Sequence, residues 1–463
     1  MGGGAGSERV SAPIIAEVLA RAVAGARSRP VPERLRETCE RLLIDIAGLC
    51  VAARNADYVR AALASWEGKG DCTAIGHGRA LDAGGAAFVN GTAAHGEDFD
   101  DTFEGGPVHA GAVIVPALLA VAERHRLEGP DVLLGIAVGC EVMCRASLVA
   151  PRRIHQAGFH PTAVLGAMGA AAGVAAALRI EEKAFASAQG IAGSLASGII
   201  EYLAEGASTK RLHPGWAAQA GIRAAELALV GFDGPRTVWE GTHGLLHGFA
   251  QTNEGDWDKL TADFGTRWVA ETIAFKPYAC GTMIHPYIDC ARRLSVSLGR
   301  GFDDIAEITC DVGEGTVHRL WEPLEAKRHP PNAYAAKFSQ PWCIAYALLH
   351  GAVGLEAFTD ERARDARIVA LAQRVGYRID PHNPYPDEYT GHIRVRLSDG
   401  RVLEERQPHL RGGHREPLTR AEIEEKFRAN CAYGGWDAKR SAAWLELARR
   451  AFYGPIDLVA FRG

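Results

Sequence analysis

The sequence lacks the features that mark several specialised classes of protein. Its ten cysteines include no C-x-x-C pair, which argues against both a disulfide scaffold and a structural zinc site. No apolar run approaches the ~20 residues that cross a bilayer, and the net charge of −5 shows no basic excess for binding nucleic acid. The first residues, MGGGAGSERV, lack the basic-then-apolar pattern of a secretory signal. We therefore expect a cytoplasmic protein with neither a membrane nor a nucleic-acid partner.

What the sequence does contain is a long series of helical patterns. In residues 33–53 apolar side chains recur at helical spacing behind a proline start signal. The same periodicity predicts further helices over 110–126, 131–148, 162–178, 183–203 and 215–230. At the end of the chain, Thr419 and Glu422 form a capping box that predicts another helix start.

Strand patterns are confined to the region after about residue 300. Ile308, Cys310 and Val312 alternate on one face of a predicted strand. The stretch HIRVRLSDGRVLEE predicts a hairpin that turns at Asp399 and Gly400. With 463 residues, and ~150 residues per domain as a guide, the chain is predicted to be mostly α. We expect a large all-helical domain over 1–272 and a smaller α/β domain over 273–410. Residues 411–463 are expected to form a C-terminal helical segment that returns to the first domain.

One acidic stretch, HGEDFDDTFEGGPVHAGA at 95–112, interrupts these apolar patterns. A helix over 86–102 would place His95, Asp98 and Thr102 along one face, with Glu97 and Asp100 pointing elsewhere. The glycines and proline that follow end this helix, and His109 comes just before the next one. An acid and a histidine at the same end of two helices can move protons. A capping, solvated acidic cluster explains the same pattern, and the spacing alone leaves both open.

The acidic stretch also suggests a magnesium site. DDTFE matches the D-D-x-x-D/E pattern with which all-helical isoprenoid synthases hold magnesium on diphosphate, and carboxylate oxygens suit that ion. The second motif of those enzymes is not evident. Aromatic residues make up only 8% of the chain, which is low for a cavity that stabilises carbocations. This alternative is therefore the weaker one.

Other polar residues recur at predicted helix starts and in loops. They are His160 before Pro161 in GFHPTAVLG; Lys210, Arg211 and His213 before a helix expected near Pro214; Lys276 and His285 in FKPYACGTMIHP; and Tyr334 and Lys337 in AYAAKFSQP. Free amides at helix starts attract anions. Taken together, these residues indicate a pocket for a small, multiply charged anion.

These stretches resemble the MmgE/PrpD family. The matching segments are NGTAAHGEDFDDT, HAGAV, GFHPTAVLGAMGAAA, TKRLHPGWAAQAGIRAAELA, GPRTVWEG, FKPYACGTMIHP, AKFSQP and PLTRAEIEEKF, in the family's order and over nearly the whole chain. The family includes 2-methylcitrate dehydratase, cis-aconitate decarboxylase and iminodisuccinate epimerase. The resemblance implies a helical domain with a smaller α/β lid, a homodimer, and chemistry that needs no metal or cofactor.

The resemblance also implies which residues line the pocket. It assigns catalytic roles to Asp98, His109, His160 and Lys210, and substrate binding to Thr102, Lys276, His285 and Tyr334. Our hypothesis is that the two lysines bind substrate carboxylates while His109 or His160 is the general base or acid. Asp98 would orient a histidine or act as the partner acid.

The activity that follows is a metal-independent lyase acting on a small di- or tricarboxylate, most simply a dehydratase. Decarboxylation and epimerisation are alternatives that use the same residues, and the acid-rich stretch EDFDDTFEGGPVH is closer to those branches. A non-catalytic carboxylate-binding protein is the alternative from another class. Such a protein would need the cations but no group that transfers protons.

Overall fold

Helices dominate the computed structural model, which describes residues 13–299 and 301–463. The helices of the first part of the chain are α1 (Ile15–Ala26), α2 (Glu33–Ala53), α3 (Asp57–Ser65), α4 (Ala83–His95), α5 (Ala110–His125), α6 (Gly129–Val149), α7 (Arg153–Gln156), α8 (Pro161–Ala177), α9 (Glu182–Leu195), α10 (Tyr202–Glu205), α11 (Thr209–Leu229), α12 (Leu245–Ala250) and α13 (Asp258–Thr261).

The rest of the chain mixes helices and strands. Its helices are α14 (His285–Leu298), α15 (Glu314–Leu320), α16 (Leu324–Arg328), α17 (Ala333–Ala336), α18 (Gln340–His350), α19 (Asp360–Ala363), α20 (Ala366–Ala372), α21 (Arg420–Tyr433) and α22 (Ala438–Arg450). The strands of the whole chain are β1 (Cys72–Thr73), β2 (Ala80–Leu81), β3 (Thr102–Phe103), β4 (Ile273–Ala274), β5 (Ile305–Val312), β6 (Val375–Ile379), β7 (Gly391–Leu397) and β8 (Val402–Gln407).

The core of the first part is a set of tightly crossing helices rich in small residues. α8 packs against α6 and α11, and α11 also packs against α4. At the α4–α11 crossing, a Cβ added to Gly91 would lie 2.6 Å from the Cα of Gly215, so only glycine permits this approach. The close crossing matters because α4 ends at His95 and α11 begins beside Lys210.

α6 is the one helix of the described residues that is long and apolar enough to cross a membrane by length and composition. The expectation that no segment approaches this length was therefore wrong for α6. Of its most apolar 18-residue window, 89% is buried against other helices. α6 thus has the burial of a core helix.

The second part is built on a four-stranded mixed sheet. Its strand order is β6-β5-β7-β8, with β5 and β6 parallel and the other pairs antiparallel. Ile308, Cys310 and Val312 are fully buried, as their alternation predicted, and the predicted hairpin joins β7 to β8. α14 packs on this sheet and on α18.

The C-terminal helices return to the first part of the chain. Thr419 and Glu422 form the predicted capping box at the start of α21, and α21 and α22 both pack against α2. All strands of the four-stranded sheet lie between 305 and 407, and the domain boundaries at 272 and 410 stay predictions. All ten cysteines are free and buried.

Three predicted helix boundaries were wrong. The helix expected over 86–102 ends at His95, and Thr102 lies in a strand instead. The helix expected over 183–203 ends at Leu195. The helix expected to start near Pro214 begins at Thr209, with Pro214 inside it. A proline near a helix start removes only one backbone hydrogen bond, here the bond to the Lys210 carbonyl, so the helix tolerates it.

Candidate active site

The segment that follows α4, which we call the acidic loop (residues 96–101), lies inside the molecule. α4 begins with the Asp82 side chain accepting a hydrogen bond from the Gly85 amide at 2.7 Å. After α4, Asp98 has a left-handed backbone with φ 55°, a conformation that aspartate tolerates better than most residues. This turn directs Asp98, Asp100 and Asp101 inward, and all three are buried. The solvated acidic cluster considered from the sequence is therefore wrong.

Asp98 holds two lysines from distant parts of the chain. The Lys210 ammonium lies 2.6 Å from Asp98 Oδ1, and the Lys276 ammonium donates to the Asp98 carbonyl at 2.9 Å and lies 3.4 Å from Oδ2. Burial alone would raise the pKa of Asp98, but the two ammonium charges hold it well below its usual range. Burial would likewise lower the pKa of Lys210, and Asp98 raises it above its ordinary value. Asp98 and Lys210 are therefore a charged pair.

His109 is held by the other acidic-loop residues. Its Nδ1 lies 2.7 Å from the Asp101 carbonyl oxygen and 3.4 Å from Asp100 Oδ2. A carbonyl oxygen only accepts, so Nδ1 carries the hydrogen and Nε2 keeps its lone pair. Burial lowers the pKa of His109 to about 3. The ring is thus neutral at pH 7, with a basic nitrogen free.

His95 completes this arrangement from the last residue of α4. Its Nδ1 lies 2.7 Å from Asp100 Oδ2, so Asp100 faces two imidazole rings. Burial would raise the pKa of Asp100, but His95 and His109 lower it below its ordinary value. The prediction that Asp100 points elsewhere was wrong, because it assumed a continuous helix through this segment.

A second pair of histidines adjoins the first. His160 is the N-cap of α8, as expected from the following proline, and its Nδ1 lies 3.1 Å from Nδ1 of His213 on α11. The His160 ring centroid lies 5.7 Å from that of His95 and 6.3 Å from that of His109. Burial lowers the pKa of His213 to about 4 and that of His160 well below its usual range. The structure therefore has a cluster of four histidines (His95, His109, His160, His213).

Distant segments fix the acidic loop in place. Lys426 on α21 donates to the Phe99 carbonyl at 2.7 Å and pairs with Asp45 at 2.7 Å. Lys337, which follows α17, donates to the Glu97 carbonyl at 2.8 Å. The pairing of Thr102 with Ala274 then ties the end of the loop to the segment that carries Lys276. The loop is thus held by helical and α/β parts of the chain together.

The remaining predicted site residues lie at different distances from this cluster. Burial raises the pKa of Tyr334, and the charges of Lys210 and Asp98 are further influences on it. Thr102 is buried in β3. His285 lies behind the Lys276 segment, with Nε2 3.1 Å from the Cys280 carbonyl. Among the described residues, its polar contacts are within this segment and not with the four histidines.

A cavity of about 590 Å³ opens beside the second histidine pair. His213 and Tyr202 lie on its wall together with apolar side chains such as Ile199 and Trp216 and with the carboxylates of Glu201 and Glu205. The His160 ring lies 6.4 Å from the Tyr202 ring, so this cavity reaches the edge of the histidine cluster. It is large enough for a small organic acid.

The carboxylates of DDTFE do not converge as a magnesium site requires. Asp100 bonds to His95, Asp101 accepts from the Gly111 amide at 2.9 Å, and Glu104 accepts from the His414 amide at 2.8 Å. The isoprenoid-synthase alternative is therefore wrong. Ligand atoms of His95, Asp100 and His109 do lie within 4.8 Å of one another. A cation there would have to break the His95–Asp100 hydrogen bond, so the donor set fits a proton-transfer arrangement better than a metal.

Sequence reasoning missed the importance of His95, Asp100 and His213. The signal for the first two was present in AAHGEDFDD, where a histidine and an acid flank a Gly-Glu-Asp turn. His213 was noted only as a residue ahead of a helix, whereas it lies within α11 on the face that meets His160. A basic imidazole, a second imidazole pair and a charged Asp98–lysine group together allow proton transfer beside a stabilised negative charge.

Known proteins match this chain along most of its length. The MmgE/PrpD N-terminal domain matches residues 17–258 and the C-terminal domain matches residues 278–448. A cis-aconitate decarboxylase of Homo sapiens is 30% identical, over 77% of this chain and 74% of its own length. The cis-aconitate decarboxylase of Aspergillus terreus (strain NIH 2624 / FGSC A1156) is 27% identical, over 86% and 85%.

A weaker relative carries a different activity in its name. The mitochondrial 2-methylcitrate dehydratase of Yarrowia lipolytica is 28% identical over 34% of this chain and 31% of its own length. The names of these relatives support a lyase acting on small carboxylates at the general level. Because both family domains match in order and together cover most of the sequence, the chain belongs to the MmgE/PrpD family.

Proposed function

We propose that this protein is a lyase that decarboxylates a small polycarboxylate of the cis-aconitate type. The observation that carries this proposal is the geometry of His109, a buried neutral imidazole whose Nε2 is free beside the Asp98–Lys210–Lys276 group. The names of the relatives that match over most of the chain support decarboxylation more than dehydration, which was the simplest expectation from the sequence.

The reaction requires a carbanion-like charge to be stabilised and then protonated. The bond between a carbon and its carboxylate breaks, carbon dioxide leaves, and the electron pair shifts through the adjacent double bond. The carbon at the far end of that bond then takes one proton, so each turnover consumes one proton. Lys210 and Lys276, both held by Asp98, lie where they can stabilise the developing negative charge.

The histidine cluster is the source of this proton. The rings of His109 and His160 are neutral without substrate because burial lowers their pKa values. A bound polycarboxylate brings several negative charges into the cluster, and nearby opposite charge favours the imidazolium form. Substrate binding therefore recruits the proton that the reaction needs.

Dehydration is the second candidate. A neutral His109 with a free Nε2 is already a base, and removal of a proton next to a carboxylate is the first step in losing water. The dehydratase relative supports the same candidate over a shorter stretch. Epimerisation would use the same base with no leaving group.

The test uses NMR to monitor the turnover of two substrates. We expect the purified protein to release carbon dioxide from cis-aconitate and, in heavy water, to place deuterium on the new C–H carbon. Loss of water from 2-methylcitrate without decarboxylation would favour the second candidate. Neither reaction, with binding retained, would overturn the lyase proposal. Treatment with EDTA should leave the rate unchanged, since no step uses a metal ion.

We also propose that the protein is a homodimer. Two large apolar side chains that line the 590 Å³ cavity, Ile199 and Trp216, are exposed, and so is Leu203 beside Tyr202 in the chain. Such a patch is typical of a surface that another subunit covers. Light scattering after size-exclusion chromatography should give twice the chain mass, and a monomer at micromolar concentration would contradict this.

A further inference from the structure

Arg211 stands apart from the other cations of the site because nothing neutralises it. Its guanidinium carbon lies over two tyrosine rings, 4.4 Å from the centroid of Tyr58 and 4.6 Å from that of Tyr334. Over residues 13–299 and 301–463, no ion pair or side-chain hydrogen bond involves this guanidinium, and its Nε is buried without a partner. None of its N–H donors is therefore used by another described residue.

The acidic and basic side chains around Arg211 already have partners within the protein. Glu97 is the carboxylate next to Tyr58, and it accepts from the Tyr58 hydroxyl at 3.0 Å and pairs with Lys337 at 3.2 Å. Lys210, the neighbour of Arg211 on α11, pairs with Asp98. Arg211 is thus a positive charge beside two carboxylates, Glu97 and Asp98, that already pair with lysines.

The two tyrosines make this cation a rigid receptor. Cation–π contacts with two rings hold the guanidinium in position, and a guanidinium can donate two parallel hydrogen bonds to one carboxylate. Arg211 directly follows Lys210 on α11, and Lys210 pairs with Asp98 at 2.6 Å, so Arg211 adjoins the reacting end of the site. An anion that reaches both must carry carboxylates on separate carbons.

We propose that Arg211 binds a substrate carboxylate that does not react, and thereby selects tricarboxylates over dicarboxylates. This inference rests on the proposed function, because it assumes that the site takes a polycarboxylate. Lys210 and Lys276 would serve the reacting carboxylate, and Arg211 the distant one. The sequence indicated only that Arg211 was one of several basic residues near a helix start.

The experiment compares two unreactive ligands that differ by one carboxylate. Tricarballylate carries three carboxylates. Methylsuccinate has the same skeleton with one CH₂COO⁻ group replaced by CH₃. Calorimetric titration should show that R211Q weakens tricarballylate binding by about 10- to 100-fold, the range for a charge-assisted hydrogen bond. Its affinity for methylsuccinate should stay at the wild-type value. R211K should recover only part of the loss, because lysine cannot form the paired planar bonds.

R223Q is the matched control. Arg223 lies on the same helix with a largely exposed side chain and a long 3.9 Å pairing to Glu226, so R223Q should bind both ligands like the wild type. Equal weakening of both ligands in R211Q, no weakening of either, or no binding of either ligand by the wild type would overturn the inference. If the ligands discriminate as expected but cis-aconitate and 2-methylcitrate are not turned over, the proposed function fails while the role of Arg211 stands.

Discussion

Two ionic clusters in this protein are built from the same kinds of residue and differ in how completely they are paired. In the sheet, Asp311 on β5 accepts from Arg378 at 3.0 Å and Arg394 at 3.0 Å, and it lies 2.7 Å from His392 Nδ1. The other nitrogen of His392 lies 2.6 Å from Glu404. Among the described residues, neither Asp311 nor His392 leaves a buried polar atom without a partner.

The acidic loop leaves several groups unpaired. Nε2 of His95 and one oxygen each of Asp100 and Asp101 are buried without a partner among the described residues, and Asp98 has a left-handed backbone. Burial and the nearby Asp100 raise the pKa of Asp101 to about 8. Unpaired buried polar groups cost stability, so the loop is organised for a purpose other than stability. The sheet cluster around Asp311 and His392, in which each polar group has a partner, connects neighbouring strands.

The largest expected effect comes from removing the free base of the acidic-loop cluster. H109Q should lower kcat by ~10²–10⁴-fold, the usual contribution of one proton-transfer group, while the unfolding temperature changes little. The matching change in the sheet, H392Q, should leave kcat near the wild-type value. Steady-state kinetics and thermal unfolding of both variants check this. Wild-type turnover by H109Q would remove the distinction between the clusters.

The second prediction concerns a variant that should lose stability and keep its activity. D311N removes one charge from a fully paired cluster and leaves Arg378 without a carboxylate, while Arg394 keeps Glu404, so the free energy of unfolding should fall by about 1.5 kcal/mol with kcat unchanged. D100N, its counterpart in the acidic loop, should lower kcat more than stability, because Asp100 orients His95 and His109. Urea unfolding and kinetics measure both. Equal stability losses with equal activity losses would contradict the comparison.

The third prediction concerns the pH dependence of stability. The folded pKa of His213 is about 4 and its ordinary value is 6.5, so the unfolded chain binds this proton first as the pH falls. The associated stability is present above pH ~6.5 and is lost toward pH ~4. Between pH 7 and 4 the wild type should lose about 2 kcal/mol more than H213Q. H243Q, at an exposed histidine, should follow the wild type. Identical pH profiles for wild type and H213Q would show that His213 is not held neutral.

The sequence was sufficient for features that depend on local pattern. Periodicity placed α2 and α5 within a residue, the proline after His160 marked the start of α8, and the Thr419–Glu422 box marked α21. These features arise from hydrogen bonds and burial within one segment, so neighbouring residues determine them.

Features that depend on contacts between distant residues could not be predicted from local sequence patterns. The turn at Asp98 is stabilised by lysines 112 and 178 positions away, and such partners outweigh the helix pattern of the segment. The same holds for the His160–His213 contact, which exists only because α8 and α11 pack together. The motifs named residues that the structure brings together, such as Asp98, His109 and His160, and their roles stay predictions. Which groups pair and which stay free emerged only from the tertiary arrangement.

The bond from Lys426 to the Phe99 carbonyl joins residues separated by 327 positions. During synthesis, the acidic loop leaves the ribosome long before the lysine that supports it. The loop therefore lacks this support until α21 has been made and packs against α2. A nascent fragment that ends before α21 would therefore lack the hydrogen bond that supports the acidic loop, so we expect the candidate site to be completed late in synthesis.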